Sequence, residues 1–248
     1  MSEQGAITPG RFVWHELITQ DVAKSTAFYQ ELFGWRCDAS DQSYIHLLAG
    51  EVPVGGMLPA PSPQLTTQWW PYVSVADVDA ATQLAAAAGC EVMAGPKNEA
   101  PGRLSALKDP QGANFYVWRA TKGDPPEVQR PLLGSFCWDQ LNTPNADASF
   151  AVYARIFGWT RKAFAQVPDM STLMRGERQA ASMMQGPVGM PAHWLTYVVV
   201  EKLEDACTRA KRLGGKVMVE RVELAGVGAF SVLQDTLGAT IAAFQAAG

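Results

Sequence analysis

The chain has 248 residues, a net charge of −4 and a hydrophobic fraction of 48%, values typical of a globular protein that can bury a sizeable core. No cluster of Lys and Arg stands out, so nucleic acid is not an expected partner. No apolar run approaches the roughly 18 residues that a membrane span needs. The N-terminus lacks the basic and apolar parts of a signal peptide, so we expect a cytoplasmic protein.

The first predicted elements are a strand over Phe12–Thr19 and an amphipathic helix over Val22–Leu32. Asp21 offers an N-cap, and Gly34 ends the helix because glycine tolerates the positive φ of a C-cap. Two further strands are predicted around a turn at Gly50. They cover Tyr44–Leu48 and Val52–Leu58. The module is therefore one strand, one helix and about three strands.

The same order returns after a polar connector over Pro59–Gln68. A strand and an Ala-rich helix are followed by a short strand and then by a hairpin around the turn Asp109-Pro110-Gln111-Gly112. The predicted elements are a strand at Trp70–Val75, a helix at Val78–Ala88, and strands at Glu91–Ala94, Leu104–Leu107 and Asn114–Trp118. The first half thus contains two copies of one module.

A proline-rich segment separates this half from a second half that repeats it. Phe136–Trp159 echoes Phe12–Trp35 at an offset of 124 (138 − 14 for the first Trp), and the offset grows only to 126 at the hairpin turn. We therefore predict an α+β protein of four tandem βαβββ modules. Two modules share one curled mixed sheet around a trough, with helices outside. The predicted domains are residues 8–120 and 134–247, joined by a linker at 121–133.

Strand alternation gathers aromatic residues and one carboxylate on the trough face of the first half. The predicted ligand-binding residues are Trp14, Tyr44, Trp70, Tyr72, Tyr116 and Trp118, with Arg103 available to an anion at the rim. Aromatic rings can stack on a flat ligand, although packing in the core is the alternative role for each of them. The second half offers fewer titratable groups, so we expect any chemistry in the first.

Glu16 and His46 are the candidate catalytic residues. A carboxylate on an inward-facing apolar strand is costly unless it is paired or solvated. Burial would raise its pKa toward the range of a general base, and with His46 it could transfer protons without a metal. Four cysteines without CxxC spacing are expected to be reduced thiols, with a disulfide or a reactive thiol as the alternative.

The chain resembles the vicinal oxygen chelate superfamily of glyoxalases, bleomycin-resistance proteins and extradiol dioxygenases. The resemblance is carried by the helix segment from Asp21 to Tyr29, by Phe33-Gly34-Trp35, by Tyr72–Val75 with Val78-Asp79-Ala80, and by the Asp109–Ala113 turn. It covers nearly the whole chain and implies a two-domain glyoxalase-like protein. The superfamily includes both metalloenzymes and metal-free binding proteins, so the fold does not decide the function.

The resemblance also implies where a divalent cation would be held, on the first strand, on the fifth strand and after the hairpin turn. Those positions hold Trp14, Trp70 and Tyr116 in the first half and Trp138, Leu195 and Ala242 in the second. None is a metal ligand. His15 lies one residue away, where alternation turns it to the other face unless a bulge intervenes. His193 is expected at a strand start.

The sequence therefore favours a metal-free protein that binds a small aromatic or apolar molecule in the first trough, without a cofactor. One alternative is a glyoxalase-like lyase, isomerase or hydrolase that uses Glu16 and His46, with a non-standard divalent metal in the first domain. Another is an inert scaffold with filled troughs. The expected partner is a small molecule, and both a monomer and a homodimer remain open.

Overall fold

The computed structural model describes residues 5–41, 44–128, 130–164, 167 and 169–247. For residues 39–41 it describes the backbone only. The described part of the chain contains four α-helices. They are α1 (Val22–Phe33), α2 (Val78–Ala87), α3 (Ala146–Phe157) and α4 (Leu203–Arg212). Among the described residues, none of the helices is long and apolar enough to cross a membrane.

The strands fall into two series of eight. The first is β1 (Phe12–Thr19), β2 (Arg36–Asp41), β3 (Tyr44–Ala49), β4 (Val52–Pro59), β5 (Gln68–Ser74), β6 (Glu91–Glu99), β7 (Gly102–Lys108) and β8 (Asn114–Ala120). The second is β9 (Phe136–Thr143), β10 (Thr160–Ala163), β11 (Met170–Arg175), β12 (Arg178–Gln185), β13 (His193–Val199), β14 (Lys216–Leu224), β15 (Gly228–Gln234) and β16 (Thr240–Ala246).

Each series forms one eight-stranded mixed sheet. The orders are β2-β3-β4-β1-β5-β8-β7-β6 and β10-β11-β12-β9-β13-β16-β15-β14. In the first sheet β1 pairs with β4 and β5 with β8 in parallel, while the hairpin neighbours are antiparallel. The predicted α+β fold, with two βαβββ modules for each sheet, is therefore confirmed. The predicted domain limits stay a prediction, although each sheet falls within one of them.

The first helix of each half has the ends that its sequence predicts. The Asp21 side chain accepts a hydrogen bond from the Lys24 amide at 3.0 Å, and Asn145 caps α3 in the same way. Gly34 and Gly158 end the two helices with φ of 71° and 68°. A residue with a Cβ is strained in that conformation, so glycine is favoured there.

The strand predictions are wrong in two respects. The pattern located only two of the three strands after α1, because β2, with the sequence RCDASD, contains only two small apolar residues and no β-branched or aromatic residue. The strand predicted at Glu91–Ala94 extends to Glu99 through a segment expected to be a loop. This β6 is an edge strand whose residues are mostly exposed. An edge strand accommodates Pro96 because the backbone groups on its outer side have no neighbouring strand to bond with.

Two compact units, each with its own core, draw residues from both halves of the sequence. Unit 1 comprises Met1–Trp14, Pro71–Val128 and Asp139–Trp194. Unit 2 comprises His15–Trp70, Gln129–Trp138 and Leu195–Gly248. The core of unit 1 holds α2 and α3, and that of unit 2 holds α1 and α4. A helix of one half therefore packs with a helix of the other half in each unit.

A buried hydrogen-bond chain crosses the core of unit 1. The indole of Trp194 donates to the Tyr153 hydroxyl at 3.1 Å, which donates to a carboxylate oxygen of Asp109 at 2.9 Å. The other oxygen of Asp109 accepts the backbone amides of Gln111 and Ala113. Burial raises the pKa of Asp109 and raises that of Tyr153 well above its ordinary value.

Unit 2 contains the same chain at the equivalent positions. Trp69 donates to the Tyr29 hydroxyl at 3.0 Å, and Tyr29 donates to Asp235 at 3.0 Å. Burial again raises the pKa of the carboxyl and of the phenol. In each unit the hairpin turn of one half is thus fastened to the first helix of the other half, which explains why the turn sequence repeats.

The cysteines Cys37, Cys90, Cys137 and Cys207 are free thiols, as predicted. Burial raises the pKa of Cys37 to about 11 and that of Cys90 to about 12. Since the thiolate is the nucleophile, both are poorly reactive at neutral pH.

Candidate functional site

In unit 2, Glu16 and His46 lie on the two strands that flank β4, on either side of Gly56. Glu16 of β1 pairs with Gly56 of β4, and Gly56 pairs with His46 of β3. Leu17 packs in the core with α1, so alternation turns Glu16 to the sheet face opposite that helix. Glu16 is 3% exposed, whereas His46 is exposed. A buried carboxylate and an accessible imidazole thus share one row across the sheet, which we call the Glu16–His46 row.

The hydroxyl of Tyr44 occupies the space above Gly56. A Cβ added to Gly56 would collide with the Tyr44 hydroxyl and with its ring. The Tyr44 and His46 rings contact each other edge to face, with centroids 4.9 Å apart. Gly56 does not have a positive φ, so glycine is needed there for space and not for backbone conformation. The phenol therefore lies within the Glu16–His46 row.

His15 faces the opposite side, as alternation predicts. Its ring is 6% exposed and stacks on Phe136 with centroids 4.1 Å apart. Phe136 in turn packs against Trp35 and Trp69 of the unit 2 core. Since Trp69 bonds to Tyr29 of α1, its neighbour Trp70 faces away from that helix, where the sequence placed it.

The predicted aromatic residues of unit 1 form a cluster of rings. Tyr72 of β5 pairs with Tyr116 of β8, and their ring centroids are 4.2 Å apart. Trp118 meets Tyr72 edge to face at 5.8 Å and covers Gly102. Both tyrosines are buried, whereas Trp118 and Trp14 are half-buried. The two tyrosine rings therefore fill space against each other and leave the tryptophans more accessible.

The Arg103 side chain forms an ion pair with a residue of α2 in unit 1. Its Nε and one terminal nitrogen donate to the two carboxylate oxygens of Asp79 at 2.7 and 2.8 Å, and the other terminal nitrogen donates to Asn98. The hydrogen bonds from Arg103 lower the pKa of Asp79. An anion at the predicted rim would have to compete with this bidentate pair.

The residues at the family's metal positions do not fit a divalent cation. Tyr72 pairs with Tyr116 as Tyr197 pairs with Ala242, so the two positions after the hairpin turns are structurally equivalent. Neither supplies a carboxylate, and Trp14 and Trp70 offer no lone pair suited to a cation. Over the described ranges, no group of three or more His, Cys, Asp and Glu residues could hold a metal ion.

A row of polar residues on the second sheet, within unit 1, was not predicted as a group. Ser182 donates to Gln140 at 3.3 Å, Gln140 donates to Asn142 at 2.8 Å, and Asn142 lies 3.2 Å from Nε2 of His193. Gln140 and Ser182 stand at the positions of Glu16 and Gly56. The signal for this row was Asn142, two residues after Gln140 and so on the same face of β9.

The unit 2 part of the second sheet contains an apolar cluster. A small buried cluster is formed by Leu195, Tyr197 and Ala242. Half-buried apolar residues pack against it, namely Cys137, Trp138, Phe230, Val232 and Phe244. The described residues of this cluster offer contact area, and none of them carries a carboxylate or an imidazole.

Comparison with known proteins gives one family and several relatives. The family described as the Glyoxalase/Bleomycin resistance protein/Dioxygenase superfamily matches residues 11–117. The chain is 29% identical over 250 residues to "Putative glyoxylase CFP32" of Mycobacterium bovis, covering 94% of each chain. It is 28% identical over 231 residues to the anthracycline biosynthesis protein DnrV of Streptomyces peucetius, covering 84% of each.

Solved structures share the fold at low sequence identity. The Mn(II)-bound glyoxalase from Novosphingobium aromaticivorans matches with a TM-score of 0.65 and 19% identity, over 97% of this chain and 82% of that one. The 2,3-dioxygenase LapB from Pseudomonas sp. KL28 matches with a TM-score of 0.62 and 12% identity, over 99% and 94%. These likenesses show the fold alone.

Proposed function

Because residues 11–117 match the Glyoxalase/Bleomycin resistance protein/Dioxygenase superfamily, we propose that this chain binds a small aromatic or apolar molecule on its first sheet. The family's usual divalent cation has no part in this proposal, since tryptophan and tyrosine stand at its ligand positions. The observation that carries the proposal is the Glu16–His46 row, in which a buried carboxylate, a phenol and an accessible imidazole share one sheet face.

The ligand class follows from the side chains available. Within unit 2, the half-buried ring of Tyr44 offers flat apolar surface, and Glu16 and His46 offer hydrogen-bond acceptors and donors. A flat ring system that carries hydroxyl or carbonyl groups would use both. Relatives named for anthracycline biosynthesis support a ligand of this kind.

Titration of the purified protein with 1,4-dihydroxyanthraquinone, followed by quenching of tryptophan fluorescence, tests the proposal. We expect saturable binding that His46→Ala weakens by about tenfold, the loss of one good polar contact. The matched control is Thr172→Ala, because Thr172 pairs with Ser182 as His46 pairs with Gly56. No saturable binding, or equal effects of the two substitutions, would count against the proposal.

A metal analysis of the same preparation tests the exclusion of the cation. We expect substoichiometric zinc, manganese and iron after dialysis against buffer without chelator. One divalent ion per chain, lost together with binding of the probe, would overturn the metal-free proposal and favour the metalloenzyme alternative.

The second candidate function is a glyoxalase-like lyase, isomerase or hydrolase. It is favoured by Glu16, a carboxylate 3% exposed on a face that also presents an imidazole, because such a pair can accept and return a proton. Its test is turnover of the hemithioacetal of methylglyoxal and a thiol. Turnover that falls by about 100-fold or more in Glu16→Gln would support this role. Turnover that survives the substitution would remove Glu16 as the base.

A further inference from the structure

A surface cleft in unit 1 lies apart from every residue discussed above as a site. Its volume is about 330 Å³. The lining residues are Ala88, Pro110, Gln111, Ala148, Ala151, Val152 and Arg155, from the end of α2, the β7–β8 turn and α3. The volume is at the lower end of the range that small-molecule sites occupy, roughly 300 to 1,000 Å³.

The internal repeat shows which substitutions open the cleft. Val152 corresponds to Phe28 of α1 at the offset of 124, and Cys90 corresponds to Gly215 at the offset of 125. In unit 2 the Phe28 ring fills the space beside Gly215, where an added Cβ would lie only 2.9 Å from the ring. In unit 1 the smaller Val152 leaves that volume partly empty. Leu213 and Lys24 are likewise replaced by Ala88 and Ala148.

The repeat also shows a difference of charge at the same place. Arg155 occupies the position of Glu31, which in unit 2 forms an ion pair with Arg212 at 3.2 Å. Arg155 is exposed, and one terminal nitrogen donates to the Ala87 carbonyl at 2.9 Å. Within the part of the chain that the structure describes, no carboxylate pairs with it. The apolar cleft of unit 1 therefore has a cation at its edge with free hydrogen-bond donors.

We propose that this cleft binds a small monocarboxylate with an apolar ring, such as an aromatic acid. The ring packs on Ala151 and Val152, and the carboxylate accepts from the remaining donors of Arg155. The proposal is independent of the function assigned to the first sheet. The corresponding place in unit 2 does not offer the same site, because Phe28 fills it and Arg212 is paired there with Glu31.

The test is a titration with benzoate by ligand-observed NMR, with benzamide as the neutral analogue. We expect saturable benzoate binding in the millimolar range and at least about fivefold weaker binding of benzamide. Ala151→Leu obstructs the cleft from an exposed helix position, and we expect it to weaken benzoate binding by at least about tenfold. Its matched control is Ala27→Leu at the same position of α1, which should leave benzoate binding unchanged.

Two further variants separate the shape of the cleft from its charge. Val152→Phe combined with Cys90→Gly reproduces the packing of unit 2, and we expect it to abolish benzoate binding while the protein stays folded. Arg155→Gln keeps a donor for the Ala87 carbonyl and should reduce benzoate binding to that of benzamide. Absent benzoate binding, or binding that is equal in Ala151→Leu and Ala27→Leu, would overturn the proposal. If the double variant fails to fold, the pair of leucine variants still decides.

Discussion

Replacing Gly56 by alanine tests the arrangement of the Glu16–His46 row. The added Cβ would overlap the Tyr44 hydroxyl and ring, so Tyr44 must leave its position or the strands must shift. Overpacking of this kind costs about 1–3 kcal/mol, and we expect about 2 kcal/mol because a half-buried Tyr44 can move only in part. The backbone is not the obstacle, since Ser182 carries a Cβ at the equivalent position of the second sheet.

The cause of that cost is isolated by a double-mutant cycle. In a Tyr44→Ala background the space above Gly56 is free, so Gly56→Ala should cost less than about 0.5 kcal/mol, and the coupling energy should be about 1–2 kcal/mol. Urea denaturation measures the free energies of unfolding, and the slope should stay constant across the four proteins. Additive effects, or a single Gly56→Ala variant as stable as the wild type, would refute the placement of Tyr44. Ser182→Ala is the control and should cost no more than about 1 kcal/mol.

Three other predictions concern the buried chains and a helix end. Tyr153→Phe should lower the free energy of unfolding by about 1–3 kcal/mol, because the buried carboxylate of Asp109 loses a donor; a neutral effect in urea denaturation would contradict this. The pKa values of Asp109 and Asp235 are raised on folding, so their contribution to stability is complete below the ordinary value of 3.8 and is lost as the pH rises through the raised pKa. A variant with both replaced by Asn should therefore show a flatter decline of stability with rising pH across that window; an unchanged pH profile would argue against protonation of these carboxyls. Gly34→Ala should cost about 1 kcal/mol at a φ of 71°, measured by thermal or urea unfolding, and a stabilised variant would contradict the left-handed cap.

The fold was predictable because the sequence repeats at nearly constant offsets. Asp21 and Gly34, with their echoes Asn145 and Gly158, mark the ends of equivalent helices. Local signals of this kind depend on residues close in the chain. They can therefore be read without the tertiary structure. The same holds for the strand alternation that places His15 and Glu16 on opposite faces of β1.

The packing across the two halves was not predictable from such signals. Tyr153 and Asp109 are 44 residues apart, and their hydrogen bond depends on which helix lies beside which turn. The sequence does contain one indication of this packing, since each residue of the hydrogen-bond chain recurs in the other half at an offset between 124 and 126. That indication becomes visible only when Trp194, Tyr153 and Asp109 are considered as one set.

The candidate site was predicted in part. Alternation placed Glu16 and His46 on their strands, but the register that puts Gly56 between them depends on pairing between β1, β3 and β4. The Tyr44 hydroxyl above Gly56 depends on the same register. The partner of Arg103 was not predicted. Its bidentate pair with Asp79 joins the start of β7 to α2, and a contact between such distant residues gives no local sequence pattern.

The most direct measurement is a crystal structure of the protein soaked with 1,4-dihydroxyanthraquinone. We expect density for the flat ring system against the first sheet, with its oxygens within hydrogen-bond distance of Glu16, Tyr44 or His46. Density only at other places, or a coordinated divalent ion at the centre of either sheet, would contradict the central proposal and leave the fold unchanged.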